Sequence, residues 1–201
     1  MKLENIGFYT LSDKRAKTIS SNSPIQRGEL ILTDRCNLNC VYCRGIKKEL
    51  CGHIELVYAE DTLDRWIKEG LANVRFSGGE PTLYPYLDKL IWKCNQARVK
   101  RIALSTNGME SLKYYKQLIT LGINDFSISL DSGCCSVNKV MAGGNNDVWA
   151  KASEAIKYLS QHCYVTVGVV FNEINYSKAK ETVEYIDSLS PSDIRILSSA
   201  Q

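Results

Sequence analysis

Three cysteines share one short stretch, Cys36-Asn37-Leu38-Asn39-Cys40-Val41-Tyr42-Cys43, with three residues between the first pair and two between the second. Soft thiolates this close suit a metal ion or an iron–sulfur cluster. A plain cubane cluster takes four cysteines, so a loop of three leaves one iron open to an outside ligand. A structural zinc site instead closes with four ligands, and Cys51 and His53, a few residues on, are placed to complete one. Unpaired core cysteines are the bland alternative. Asn37 and Asn39 argue against it, because they interrupt any apolar run in the loop.

The elements that must position this loop alternate regularly. A strand-like run, Glu29-Leu30-Ile31-Leu32-Thr33, leads into it. Helical spacing comes next at Leu63, Trp66 and Ile67, then a strand at Asn73-Val74-Arg75-Phe76 that ends in Ser77-Gly78-Gly79-Glu80-Pro81. A helix with Leu87, Leu90, Ile91 and Cys94 precedes the strand Arg101-Ile102-Ala103-Leu104, which ends in Ser105-Thr106-Asn107-Gly108. A helix with Leu112, Tyr115, Leu118 and Ile119 precedes Asp125 to Leu130, which ends in Asp131-Ser132. A loop containing Gly143-Gly144 leads to a helix carrying Trp149, Ala152, Ile156 and Leu159. Tyr164 to Phe171 reads as a buried parallel strand, and a helix with Val183 and Ile186 precedes a last strand over Asp193 to Leu197.

This alternation predicts an α/β fold of parallel βαβ units with right-handed crossovers: a partial (βα)6 TIM-type barrel. The pattern breaks off at the sixth strand, so the expected barrel lacks its last helix. Residues 1–28 read as an N-terminal arm and 29–201 as the core domain. Chemistry in such barrels sits at the C-terminal strand ends. The polar and glycine-rich tetrapeptides fall there, on successive strands.

Composition bounds the rest. The 201 residues suffice for one domain, and 44% hydrophobic with 23% charged residues is ordinary for a globular protein. A formal charge of +3 gives no clear nucleic-acid signal, and no apolar run approaches a membrane span. The N-terminus lacks the layout of a signal peptide. Eight cysteines without an export signal point to ligation in a reducing compartment, hence to a cytoplasmic protein.

The cysteine spacing with Tyr42 before the third cysteine, joined in order by the later strand-end signatures, resembles the radical S-adenosylmethionine (SAM) enzymes over about residues 29–201. The resemblance implies a [4Fe-4S] cluster on Cys36, Cys40 and Cys43, with SAM on the open iron. It implies reductive cleavage of SAM to a 5′-deoxyadenosyl radical that takes hydrogen from a substrate. It also implies an electron donor such as flavodoxin or ferredoxin. Ser77, Gly78, Gly79 and Glu80 look like the strand end that holds the methionine amine. Tyr42 would lie near adenine through its backbone. Ser105, Thr106 and Asn107 would end the third strand inside the pocket. Ser129 matches a position that meets the ribose or methionine carboxylate, with Asp131 beside it. Val169 and Ser198 to Ala200 would contact adenine. Local readings of the same residues are a turn cap for Asp131 and a locally bonded hydroxyl for Ser129.

Thr33-Asp34-Arg35-Cys36-Asn37 and Phe76 to Pro81 are most similar to the branch that cyclises GTP in molybdenum-cofactor synthesis. Glu29 stands where that branch has a GTP-binding arginine, and the fifth strand opens with Val165 and Thr166 rather than a lysine. The second, C-terminal cluster of that branch has no cysteines here, and neither has the extension of the peptide-modifying branch. The substrate, whether small molecule, nucleotide or peptide, is therefore left unassigned. The competing reading from another class is a non-catalytic iron–sulfur or zinc module on Cys36, Cys40, Cys43 and Cys51. Cys94 and Cys163 read as core and Cys134-Cys135 as loop. Arg44, Lys47, Lys48, Cys51 and His53 read as a solvated rim near the cluster.

Overall fold

The computed structural model describes residues 23, 25–43 and 52–199. Six strands form one sheet in sequence order, every neighbouring pair parallel: β1 (Arg27–Thr33), β2 (Asn73–Gly78), β3 (Arg101–Thr106), β4 (Asp125–Ser129), β5 (Tyr164–Phe171) and β6 (Asp193–Ser198). The helices between them are α1 (Leu56–Lys68), α2 (Leu87–Gln96), α3 (Leu112–Leu121), α4 (Cys135–Met141), α5 (Val148–Leu159) and α6 (Ala179–Ser188). This is the α/β architecture that the alternation predicts. β1 opens at Arg27, inside the segment read as the arm, and residues 1–22 lie outside the described residues.

One face of the sheet is apolar. Leu30, Leu32, Phe76, Leu104, Phe126, Ile128, Val165 and Val167 pack against Leu63, Leu90, Ile91, Tyr115, Ile156 and Leu159 of the helices. Burial of each such side chain contributes about 1.5–3 kcal/mol. Successive side chains of a strand point to opposite faces. The other face therefore takes the intervening residues, which include Glu29, Arg75, Ser77, Ser105, Ser127, Ser129, Thr166 and Arg195 as well as the apolar Ile31, Ala103 and Val170. Near the N-terminal ends of the strands, Arg101 Nε meets Asp125 Oδ2 at 2.6 Å.

The one described α-helix that the alternation does not foresee is α4. Its seven residues fall in the stretch read as loop, and it is too short for periodicity to reveal. It matters because Asn138 and Met141 are buried beneath the strand ends. Residues 52–54 return along β1, where Thr33 pairs with His53 in an isolated bridge and the Ile54 N–H donates to the Leu32 carbonyl at 2.9 Å. No described helix is long and apolar enough to cross a membrane.

Candidate active site

The cysteine loop leaves the C-terminal end of β1 and is held by its own turn and by segments much later in the chain. The Cys43 N–H donates to the Cys40 carbonyl at 3.1 Å, closing a turn around Val41 and Tyr42. The Val41 N–H donates to the Met141 carbonyl at 3.0 Å. Leu38 is buried against Ala142 and Val148, with Cys36, Cys40 and Met109 packed on that cluster. Gly143, at φ +75°, lies against the Asn39 backbone so closely that a Cβ would overlap the Asn39 carbonyl oxygen.

Two amide donors face one sulfur. The Leu38 N–H is 3.4 Å from Cys36 Sγ, and Asn107 Nδ2 is 4.0 Å from it while donating to Asn37 Oδ1 at 2.6 Å. N–H groups aimed at a sulfur favour its thiolate and are the usual second sphere of a ligating cysteine.

The next strand end is sewn to the same loop. The Gly79 N–H donates to the Thr33 carbonyl and the Glu80 N–H to the Arg35 carbonyl, both at 2.7 Å. A Cβ on Gly79 would overlap the Arg35 carbonyl oxygen, so the sequence Gly-Gly is what lets β2 approach the cysteine loop. Glu80 is 1% exposed. Its Oε1 accepts from the Thr106 hydroxyl at 2.8 Å and from the Thr82 N–H and hydroxyl, and its Oε2 accepts from the Asn107 N–H at 2.8 Å. Burial raises its carboxyl pKa, and the donors from Asn107, Thr82 and Thr106 oppose that rise.

These elements enclose a cavity of about 280 Å³. Of the residues expected at the site, Cys36, Cys40, Cys43, Tyr42, Ser77, Gly78, Gly79, Ser105, Thr106, Asn107, Ser129 and Asp131 line it. Glu80 and Val169 do not. Glu80 ties β2 to β3 from beneath. Val169 is fully buried in the apolar core, because the register that pairs Ser129 with Gly168 turns Gly168 and Val170 toward the cavity side. Ser198 ends β6, and Ala200 lies outside the described residues.

Glu29, Leu38, Asn138, Ala142 and Val148 also line the cavity. Glu29 is legible as the charge that interrupts the apolar run of β1. The other four come from packing that no local pattern announces. Asp131 is 5% exposed, and burial pushes its carboxyl up to about 6 against the Val170 N–H and the Tyr42 hydroxyl. Burial, then the Asp131 charge, raises the Tyr42 phenol.

The three cysteines of the loop line one cavity. A cubane takes each thiolate on a different iron, so its ligands stand around a cavity rather than converging on a point. Among the described residues no three His, Cys, Asp or Glu side chains converge as ligands of one ion would. The remaining cysteines lie elsewhere. Cys94 is fully buried and its thiol is pushed up to about 12. Cys163 Sγ donates to the Leu159 carbonyl at 3.3 Å. Cys134 and Cys135 are exposed at the start of α4, off the cavity wall, and the Ser136 hydroxyl 3.2 Å from Cys134 Sγ lowers that thiol's pKa. His53 packs edge-on against Tyr84, while Arg44, Lys47, Lys48 and Cys51 lie outside the described residues.

The chain is 36% identical over 120 residues to a GTP 3′,8-cyclase of Staphylococcus saprophyticus, covering 54% of this chain and 35% of that protein. It is 29% identical over 171 residues to a probable GTP 3′,8-cyclase of Methanococcus maripaludis, covering 82% and 54%. It thus spans between a third and just over half of these curated relatives. Its fold matches Streptococcus suis SuiB bound to S-adenosylmethionine with a TM-score of 0.73 at 19% identity, covering 89% of this chain and 42% of that one. anSMEcpe with bound AdoMet gives 0.73 at 18%, covering 89% and 52%. The model of the Radical SAM superfamily matches residues 30–186. The chain belongs to the radical SAM superfamily, whose cofactors are a [4Fe-4S] cluster and SAM.

Proposed function

We propose that this chain is the core of a radical SAM enzyme, with a [4Fe-4S] cluster on Cys36, Cys40 and Cys43 and SAM in the adjoining cavity. When bound, these cofactors supply the electron and the 5′-deoxyadenosyl radical that starts hydrogen abstraction. The observation that carries this reading is the shared wall. The three thiols line the same cavity as Gly78, Gly79, Ser105, Asn107 and Ser129.

This chain's residues bind and orient. The backbone at Gly78-Gly79 offers close-approach polar groups to the methionine amine, the Ser129 hydroxyl faces the ribose or carboxylate, and Tyr42 with Asn107 forms wall. A non-catalytic metal module has no need of the Gly-Gly approach or of the hydroxyls on successive strand ends.

The substrate enters from the polar face of the sheet. Glu29 lines the cavity, and a carboxylate there disfavours a polyphosphate, which supports a substrate other than GTP. The reductant is a low-potential donor of the flavodoxin or ferredoxin class. Seven free cysteines among the described residues, three of them around one cavity, support a reducing, cytoplasmic location.

The test is anaerobic reconstitution with iron and sulfide, then dithionite and SAM, with 5′-deoxyadenosine read by mass spectrometry. The wild type yields it, and the Cys36, Cys40, Cys43→Ala triple variant does not. A wild type that loads iron yet neither binds nor cleaves SAM defeats the reading in favour of a binding module.

A further inference from the structure

Tyr42 sits between the second and third cysteines, and its hydroxyl donates to Asp131 Oδ2 at 2.7 Å, across 89 residues of sequence. The rest of Asp131 is committed as well. Its Oδ1 accepts from the Val170 N–H at 2.9 Å, its N–H donates to Asn138 Oδ1 at 3.0 Å, and its carbonyl accepts from Asn175 Nδ2 at 2.8 Å. Asn175 is fully buried, donates also to the Val170 carbonyl at 2.8 Å and accepts from the Asn172 N–H at 2.8 Å. One residue therefore joins the cysteine loop, α4, β5 and the loop after β5. Both of its carboxylate oxygens already hold partners inside the protein. Tyr42 and Asn138, the side chains it holds, line the cavity, and so does Asp131 itself, with both carboxylate oxygens engaged as above.

We infer that Asp131 is a positioning residue: through Tyr42 it fixes the Cys40–Cys43 turn and the adjoining cavity wall, and it shapes SAM binding without itself touching SAM. This rests on the proposed function, in that the cavity takes SAM. The turn gives the mechanism. Because the Cys43 N–H bonds back to the Cys40 carbonyl, a shift of Tyr42 moves both flanking thiols. A hydrogen bond to a buried carboxylate is among the stronger neutral-to-charged kind, and leaving that carboxylate without its donor costs more than the bond contributes.

The variants are Tyr42→Phe, Asp131→Ala, their double, and Asp131→Asn. In the Asn variant the amide oxygen still accepts from the Val170 N–H, and the amide nitrogen donates to the Tyr42 oxygen, so the tether survives. Each protein is reconstituted anaerobically. Iron per chain, SAM affinity by equilibrium dialysis and the paramagnetic spectrum of the reduced cluster with and without SAM are read. SAM affinity is compared per loaded cluster, so that lost iron is not counted as lost SAM binding. Tyr42→Phe and Asp131→Ala each weaken SAM binding about tenfold, the double is no weaker than either, and both singles alter the SAM-induced spectral change in the same way. Asp131→Asn recovers to within about threefold.

Additive losses in the double, or an Asn variant as weak as Ala, overturn the inference, because the carboxylate then acts on SAM directly. The same four variants without metal, melted as a double-mutant cycle, judge the tether separately. Coupled losses uphold it and independent losses overturn it, whereas a wild type that binds no SAM defeats the proposed function instead.

Discussion

The Thr106 hydroxyl donates to the Glu80 carboxylate at 2.8 Å with both residues buried, so the ends of β2 and β3 are joined through a side chain rather than through the sheet ladder. The ladder between these strands runs only as far as Phe76 and Leu104. Glu80 continues the connection beyond it, and Asn107, which faces Cys36, hangs from the same carboxylate by its N–H. Glu80→Ala would take the acceptor from the Asn107 N–H and leave the Thr106 hydroxyl with only the Tyr115 hydroxyl, 3.3 Å away, to donate to. The expected cost is about 3 kcal/mol or more, and Glu80→Gln, which keeps one acceptor oxygen, costs less. Urea unfolding of the three proteins checks the order, and an Ala variant as stable as wild type would remove Glu80 from this role.

Gly79 meets the Arg35 backbone with no room for a Cβ. Gly79→Ala must push β2 away from the cysteine loop or distort both. Overpacking of this kind costs about 1–3 kcal/mol. Because Arg35 adjoins Cys36, the displaced loop should also load less iron during reconstitution. Iron content at the wild-type level together with an unchanged melting temperature is the outcome that sinks this account.

The Asp131 carboxyl is pushed up to about 6 from its ordinary value of 3.8, chiefly by burial. Between those pH values the folded chain keeps a proton that the unfolded chain has released. Stability from this group therefore falls as pH rises through the window and levels off above it, by about 3 kcal/mol in all. Asp131→Asn carries no such proton. The wild type should lose stability relative to this variant from about pH 4 to about pH 6, as urea unfolding across that range would read. Burial raises the Glu80 carboxyl in the same direction, so the slope left in the variant keeps this sign at that residue.

Arg101 and Asp125 form an ion pair whose side chains are 14% and 4% exposed. The Arg101 guanidinium also lies 5.1 Å from the centre of the Tyr164 ring. Removing the arginine alone strands a buried carboxylate, so Arg101→Ala is expected to cost about 3–5 kcal/mol. Replacing both with leucine should cost far less. Equal losses in the single and the double variant would show that the pair acts through packing alone.

Much of this architecture is legible in the residues themselves. β5 spans the same residues as the apolar run Tyr164 to Phe171, and the glycine and hydroxyl signals after the second, third and fourth strands all open onto the cavity or support its wall. These features are local, set by side-chain period and by backbone that only glycine permits. The hidden features are set by contacts distant in sequence. Asn138 on α4 and Asn175 after β5 look like ordinary polar residues until the fold carries them to Asp131. Val169 shows another limit: the strand it lies on is legible, but the face its side chain takes, the apolar core, is decided by register against β4.

The cysteine loop rests on Met141, Ala142, Gly143 and Val148, all made long after it. During synthesis the three thiols emerge first, and the surface that shapes them arrives only once α4 and α5 are complete. A cluster on this loop is therefore expected to be delivered late, to a folded sheet rather than to a nascent loop. Until then the thiols depend on a reducing environment for protection. Iron uptake by ribosome-bound chains that end before Met141 would contradict this timing.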